Sequence, residues 1–170
     1  MIINRQWAMP NKNTFQIKPI KQLINKYIDM QTKESIILNP FANNSTYGIT
    51  NDIDPQYHTD YNMDAIDFLH MFPDNSVDLI LYDPPFSVRQ LAESYKKVNH
   101  SVNMETTQAS YWGNQKKEIS RIMRKNGVVI CCGWNSGGIG NSNGFEIEEI
   151  LLVPHGGWHN DTIVTVCRKT

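Results

Sequence analysis

The stretch V-D-L-I-L-Y-D, residues 77–83, limits the folds open to this chain more than any other part of it. Its centre is apolar without the alternation of a strand that has one wet face, so both faces must be covered. That is the pattern of an interior parallel strand. Parallel neighbours need crossover connections, and the flanking sequence supplies helical ones. P-I-K-Q-L-I-N-K-Y-I sets Ile20, Leu23, Ile24, Tyr27 and Ile28 on one helical stripe, with Pro19 suited to the first turn. S-I-I-L-N-P predicts a short buried strand ended by Pro40, and Y-G-I-T-N-D-I-D-P a second that stops before Pro55. Y-H-T-D-Y-N-M-D reads as a third, more polar strand nearer a sheet edge. D-A-I-D-F-L-H-M-F predicts a helix with Ala65, Leu69 and Phe72 inward.

More than forty residues separate Asp83 from the next apolar run, G-V-V-I-C-C-G-W, about twice what one crossover helix needs. Residues 108–127 predict that helix, with Trp112, Ile119, Ile122 and Met123 at helical spacing and Gly127 as its stop. Residues 87–107 are left as an excursion at the carboxyl edge of the sheet. F-E-I-E-E-I-L-L-V and D-T-I-V-T-V-C-R are strands joined by a link so short that they must be antiparallel. The expected fold is an α/β, Rossmann-like doubly wound sheet, mostly parallel with an antiparallel C-terminal strand. A length of 170 residues predicts one domain over 1–170, with an N-terminal extension and helix over 1–30 and a lid or substrate-binding excursion over 87–107. In such sheets ligands sit outside the carboxyl ends of the parallel strands, and nearly every unusual stretch of this sequence falls there.

The most unusual is Asp-Pro-Pro-Phe, directly after the buried strand. Two prolines fix two φ angles and remove two N–H donors, which holds the neighbouring carbonyls in place as free acceptors. Asp83 adds a carboxylate and Phe86 a flat apolar face. Pro84 and Pro85 give the rigidity, and the set suits a planar ring bearing an amine. A strand-ending turn, with Asp83 as a cap and Phe86 in the core, is the plainer alternative.

The segment N-S-V-D-L-I-L-Y-D-P-P-F resembles the S-adenosylmethionine-dependent amino-methyltransferases, above all those acting on the exocyclic amine of adenine in DNA. Their signature, Asp/Asn/Ser-Pro-Pro-Tyr/Phe/Trp, ends the fourth strand of a class I methyltransferase fold. The resemblance implies that Asp83 and the Pro84 carbonyl grip the target amine while Phe86 stacks on the flipped base. It implies S-adenosylmethionine as cofactor, with M-D-A-I-D-F-L similar to the motif whose acid meets the adenine end, here Asp64 with Ala65. N-D-I-D-P is similar to the motif whose acid accepts from the ribose hydroxyls, here Asp52; an exposed turn acid is the alternative. N-P-F-A-N-N-S aligns with the first motif, implying cofactor contact at Asn39, Pro40, Phe41 and Ala42. That motif is usually Asp-Pro-Phe-x-Gly-x-Gly, whereas Asn39 replaces the acid here, and Asn43 and Ser45 the glycines. Asparagine tolerates positive φ, so the turn can survive.

The resemblance covers residues 15–90 by motif and the rest by strand order. It lacks the target-recognition region that such enzymes usually carry, which makes this a minimal form. Sixteen basic against 17 acidic residues give a net charge of −1, so no overall basic field draws the chain onto duplex DNA. The expected partner is therefore adenine-containing nucleic acid, single-stranded or unpaired, or a partner subunit or second copy that supplies recognition. Arg89, Tyr95, Lys96, Lys97 and His100 of the excursion are the candidate reader, or else a solvated helix face. Trp134, Asn135, Trp158 and Asn160 are candidate pocket walls opposite Asp-Pro-Pro-Phe, or plain hairpin turns. His155 and His159 lie around paired glycines rather than on a helix, and no metal is expected. Cys131, Cys132 and Cys167 read as reduced, buried thiols. The N-terminal residues lack a long apolar segment, so a soluble, cytoplasmic protein is expected. Alternatives are a fold-retaining binding or subunit module with a degenerate cofactor site, and an enzyme acting on RNA, a nucleotide or a protein amide.

Overall fold

A computed structural model describes residues 1–98 and 110–170. Among them, strands β1 (Ile2–Arg5), β2 (Ile37–Asn39), β3 (Ile49–Thr50), β4 (Val77–Tyr82), β5 (Met123–Gly133), β6 (Phe145–Val153) and β7 (Thr162–Lys169) form one sheet. Their order is β1-β6-β7-β5-β4-β2-β3. Every pairing is parallel except those of β7 with β5 and β6. The doubly wound, mostly parallel sheet is thus the one expected.

The continuous apolar run of β4 has its explanation in two helical layers. Leu79 and Leu81 point into a core that includes Ile20, Leu23, Ile24 and Tyr27 of α1 (Lys18–Ile28). Ile80 and Tyr82 point the other way, against Phe68 and Leu69 of α2 (Ala65–His70) and Ile119 and Ile122 of α4 (Ser110–Ile122). β5 alternates likewise, with Val128, Ile130 and Cys132 on the first face and Val129 and Cys131 on the second. All three cysteines are buried and unbridged. At the amino edge, the buried Glu149 carboxylate accepts from Lys26 Nζ at 2.7 Å and from the Tyr27 hydroxyl at 3.0 Å, which ties α1 to β6.

Several elements differ from expectation. The polar third strand is reduced to a single parallel bridge, Asn51 to Tyr61. Asp60 causes this, since its Oδ2 takes the Thr50 N–H and hydroxyl, both at 2.8 Å, where a ladder partner would stand. The crossover helix ends at Ile122, and residues expected in its last turn open β5 instead. Asn126 turns left-handed there (φ 66°), and Gly127 has no room for a side chain, a Cβ falling 2.6 Å from Met123 Cε. The register slips at the same place, between Val77 and Leu79. β1, which was not expected, adds an exposed edge strand beside β6. Residues 88–97 of the excursion form a helix, α3 (Val88–Lys97), started by Ser87, whose hydroxyl accepts from Gln90 N at 3.2 Å. His100 and the rest of the excursion lie outside the described residues. No helix among the described residues is long and apolar enough to cross a membrane.

Three loops meet at the carboxyl edge through one buried side chain. Asn51 Nδ2 donates to the carbonyls of Pro40 (3.1 Å) and Met63 (3.0 Å), and its Oδ1 accepts from Met63 N (3.1 Å). Replacing it strands backbone groups that the fold has already taken from water. Asn51→Ala is expected to lose about 2–4 kcal/mol of stability by urea denaturation, more than substitution of an exposed asparagine such as Asn160.

Candidate active site

The sheet reverses its winding between β2 and β4, since the chain moves outward from β2 to β3 and returns to pair β4 on the opposite side. A cavity of about 440 Å³ opens there, beyond the carboxyl ends of both strands. Its volume lies in the range of small-molecule sites. Pro40, Phe41, Asn43, Asp52, Asp64, Ala65 and the whole of Asp83-Pro84-Pro85-Phe86 line it. Ala42 borders a small recess that shares Asn43 and Asp83. Of the residues expected for catalysis and cofactor contact, only Asn39 lies off both: it is fully buried, and its Nδ2 braces the turn by donating to Ser45 Oγ at 3.0 Å.

The tetrapeptide is held by its neighbours. Trp112 Nε1 donates to the Pro85 carbonyl at 3.0 Å, and Phe86 N donates to Gln90 Oε1 at 2.7 Å. Neither bond involves the Pro84 carbonyl. Asp83 is half-buried as a residue, yet its Oδ1 is sealed from solvent and has no hydrogen-bond partner among the described residues. Burial pushes this carboxyl up to about 7, against the opposing pull of the Thr14 hydroxyl. The plain turn-cap alternative is hard to reconcile with an orphaned acceptor at this position.

The other two acids are already engaged. Asp52 accepts from Asn43 N at 2.9 Å and Asp54 N at 3.0 Å; burial raises its carboxyl while these amides lower it. This anchors Asn43 in the left-handed region (φ 53°), where the glycine of the related motif was expected. Asp64 caps α2 through Ile66 N (3.0 Å), and its second oxygen accepts from the Tyr95 hydroxyl. Tyr111 packs edge-on to Tyr95, 6.4 Å between centroids, and burial with the nearby Asp64 charge pushes its phenol up to about 12. Both phenols therefore stay protonated at neutral pH.

Several wall residues were not expected. Lys12, Asn13 and Thr14 bring the segment before α1 to the cavity, and Asp54 adds a second carboxylate beside Asp52. Gln90, Leu91 and Ser94 join Tyr95 and Lys97, both expected in the reader, to make α3 a wall rather than a solvated face. S-V-R-Q is a capping-box spacing that announces this helix in the sequence. Arg89 instead pairs with Glu93 in solvent, and Lys96 is exposed.

The tryptophans require a correction. Neither Trp134 nor Trp158 lines the cavity. Trp134 meets Phe86 edge-on, with centroids 5.7 Å apart, and Trp158 is fully exposed because Gly156 and Gly157, both at positive φ, turn the chain outward. Asn135 and Asn160 are also exposed, Asn135 accepting from Gly137 N at 3.0 Å. His155 is spent on structure, its Nδ1 2.8 Å from the Ala8 carbonyl and its Nε2 2.9 Å from Thr162 Oγ1. No group of ligating side chains able to hold a metal occurs among the described residues.

No family model and no curated protein matches the chain. Solved structures do. TrmN from Thermus thermophilus aligns with a TM-score of 0.56 and 15% identity over 91% of this chain and 49% of that one. The 1,6-didemethyltoxoflavin-N1-methyltransferase of Burkholderia thailandensis, solved with 1,6-didemethyltoxoflavin and S-adenosylhomocysteine, aligns with a TM-score of 0.59 and 11% identity, covering 90% and 77%. The fold is that of the class I methyltransferases. The chain spans about half the length of TrmN.

Within this fold the raised Asp83 carboxyl has a consequence for stability. Below pH ~4 the group is protonated whether the chain is folded or not, and contributes nothing. Between pH ~4 and about 7 the unfolded chain releases the proton while the folded chain keeps it, so stability falls as pH rises. Above about 7 the full penalty is present. Asp83→Asn cannot ionise. Its stability relative to wild type should be near zero at pH 4 and grow to a gain on the order of 2–4 kcal/mol at pH 8, read from urea midpoints.

Proposed function

We propose that the chain is an S-adenosylmethionine-dependent methyltransferase whose acceptor is an amine, most specifically the exocyclic amine of adenine in nucleic acid. The observation that carries this reading is the sealed Asp83 Oδ1, without a hydrogen-bond partner among the described residues, in a cavity that Pro84 and Phe86 also line at the switch point of a class I methyltransferase fold. An amine bearing two N–H donors on a flat ring answers both acceptors and the ring. The two aligned methyltransferase folds support the cofactor. So does the fit of the cavity, where Pro40, Phe41, Asn43, Asp52, Asp64 and Ala65 would hold it.

When bound, S-adenosylmethionine supplies an electrophilic methyl on a positively charged sulfur, a good leaving group. The residues of this chain have three tasks. Asp83 and the Pro84 carbonyl each accept a hydrogen bond from the amine, which aims its lone pair and stabilises the positive charge that grows on nitrogen. Phe86 holds the ring plane. A methylated amine would carry one proton too many, and the Asp83 carboxyl, near 7, is suited to receive it and pass it on. Trp112 and Gln90 hold the two ends of the single peptide group between Pro85 and Phe86 and keep its plane from turning.

A specific observation favours a second reading, a fold-retaining module that holds cofactor weakly. Both oxygens of Asp52, and both of Asp64, accept from donors within the protein. Titration calorimetry with S-adenosylmethionine separates the two readings. The enzyme should bind cofactor below millimolar, and Asp52→Ala or Asp64→Ala should weaken it about ten- to a hundred-fold. No binding at millimolar concentration would leave the module.

Transfer of a labelled methyl group to separate pools of DNA, RNA, nucleosides and protein then identifies the acceptor. Asp83→Ala and Phe86→Ala should abolish transfer while cofactor affinity stays near wild type, because their partner is the acceptor. In wild type kcat/KM should rise with pH through about 7 as Asp83 ionises, and in Asp83→Asn that rise should vanish from the remaining activity. Near-normal turnover in either alanine variant would make the tetrapeptide structural.

A further inference from the structure

The carboxyl edge continues outward past the cavity, and what it carries there is a row of aromatic rings. From β4 the sheet order runs through β5, β7 and β6 to β1. Phe86 follows β4, Trp134 follows β5, Trp158 sits in the turn joining β6 to β7, and Trp7 follows β1. Phe86 and Trp134 touch, 5.7 Å between centroids. At the far end Trp7 Nε1 lies 3.6 Å from where a Cβ on Gly156 would stand, so it packs on the turn that presents Trp158. Trp134 is 41% exposed, Trp7 59% and Trp158 fully so. Four strand steps at ~4.8 Å make this row about 19 Å long.

Apolar surface of this size left in water is costly unless something covers it. The company of the rings indicates what. Around the two rings nearer the middle of the row the chain reads G-W-N-S-G-G and H-G-G-W-H-N, residues 133–138 and 155–160, without an aliphatic side chain, and the exposed Ile2, Ile3 and Met9 are confined to the Trp7 end. A close-packed protein seam needs such side chains at its centre. Glycine instead lets flat groups approach the backbone, and asparagine offers both donors and acceptors to base edges. The loop after β5 holds no carboxylate; in the turn between β6 and β7 the one carboxylate, Asp161, accepts from His155 N at 3.3 Å, and Arg5 is exposed at the end of β1.

We propose that Trp134, Trp158 and Trp7 form a stacking track for the nucleotides flanking the methylated base on an unpaired strand. It rests on the reading of adenine as the acceptor, and Phe86 is where track and cavity meet. Stacking on exposed rings tolerates sequence and requires bases that are not paired, which suits a chain with a net charge of −1 and few phosphate contacts to offer.

Fluorescence anisotropy with labelled oligo-dA of one to six nucleotides tests the track directly. Affinity should rise with length over the first few nucleotides and then level off, fall only gently with salt, and favour single strand over duplex. Trp134→Ala and Trp158→Ala should each weaken hexamer binding roughly five- to a hundred-fold, while the phenylalanine variants keep most of it. Cofactor titration of the same variants follows the cavity separately, so loss of cofactor binding in wild type would overturn the enzyme reading and not the track. Unchanged oligonucleotide affinity in the alanine variants, or no affinity in wild type, would overturn the track. So would a sedimentation shift from dimer to monomer in those variants with oligonucleotide binding unaffected, which would make the rings a contact between two copies.

Discussion

β4 must be buried on both faces, and the rest of the molecule is arranged around that requirement. Leu79 and Leu81 require α1 on one side, while Ile80 and Tyr82 require α2 and α4 on the other. A one-residue slip of a strand clamped between two layers would send every side chain into the opposite layer, against neighbours packed around a different residue. The residue at its end is therefore delivered to a fixed point. That residue is Asp83, and the proline pair after it removes the remaining backbone freedom. The position of the candidate chemistry is thus a consequence of core packing.

The same delivery has a cost, because it holds a carboxylate oxygen sealed from solvent and without a hydrogen-bond partner among the described residues. Natural folds keep few such groups, and those they keep tend to lie at functional sites. The surroundings bear this cost through rigid supports set one layer back. Asn51 joins the loops after β2 and before α2, Trp112 fixes Pro85, and Asp52 holds the backbone of Asn43. These polar side chains mostly contact backbone.

What could be read from the sequence was whatever has a local cause. β4, the stripe of α1 and the antiparallel C-terminal pair each follow from periodicity or link length, and Asp-Pro-Pro-Phe is conspicuous because its chemistry is packed into four consecutive residues. β1 escaped notice because its partner lies far along the chain, Ile3 opposite Ile150, and its own residues are exposed. The third strand failed because Asp60 competes for backbone donors that a propensity argument assigns to a ladder. Asn51 looks like any turn asparagine until three loops converge on it. The tryptophans were placed on the right edge, but whether a glycine pair turns a ring inward or outward depends on backbone angles that composition does not reveal.

α3 closes one side of the cavity with two buried side chains, Leu91 and Tyr95, and the Tyr95 hydroxyl occupies an oxygen of Asp64. A ligand that claims that oxygen must compete with the tyrosine, and whatever free energy it spends doing so loosens the helix that begins at Ser87. Asp-Pro-Pro-Phe ends at the residue before Ser87, and Gln90 of the same helix grips Phe86 N. Occupancy at the Asp64 end and the posture of Phe86 are then linked through one short helix. By thermodynamic reciprocity, a guest held at Phe86 would alter affinity at Asp64 by the same factor that a guest at Asp64 alters affinity at Phe86. The order in which two ligands arrive would leave that factor unchanged.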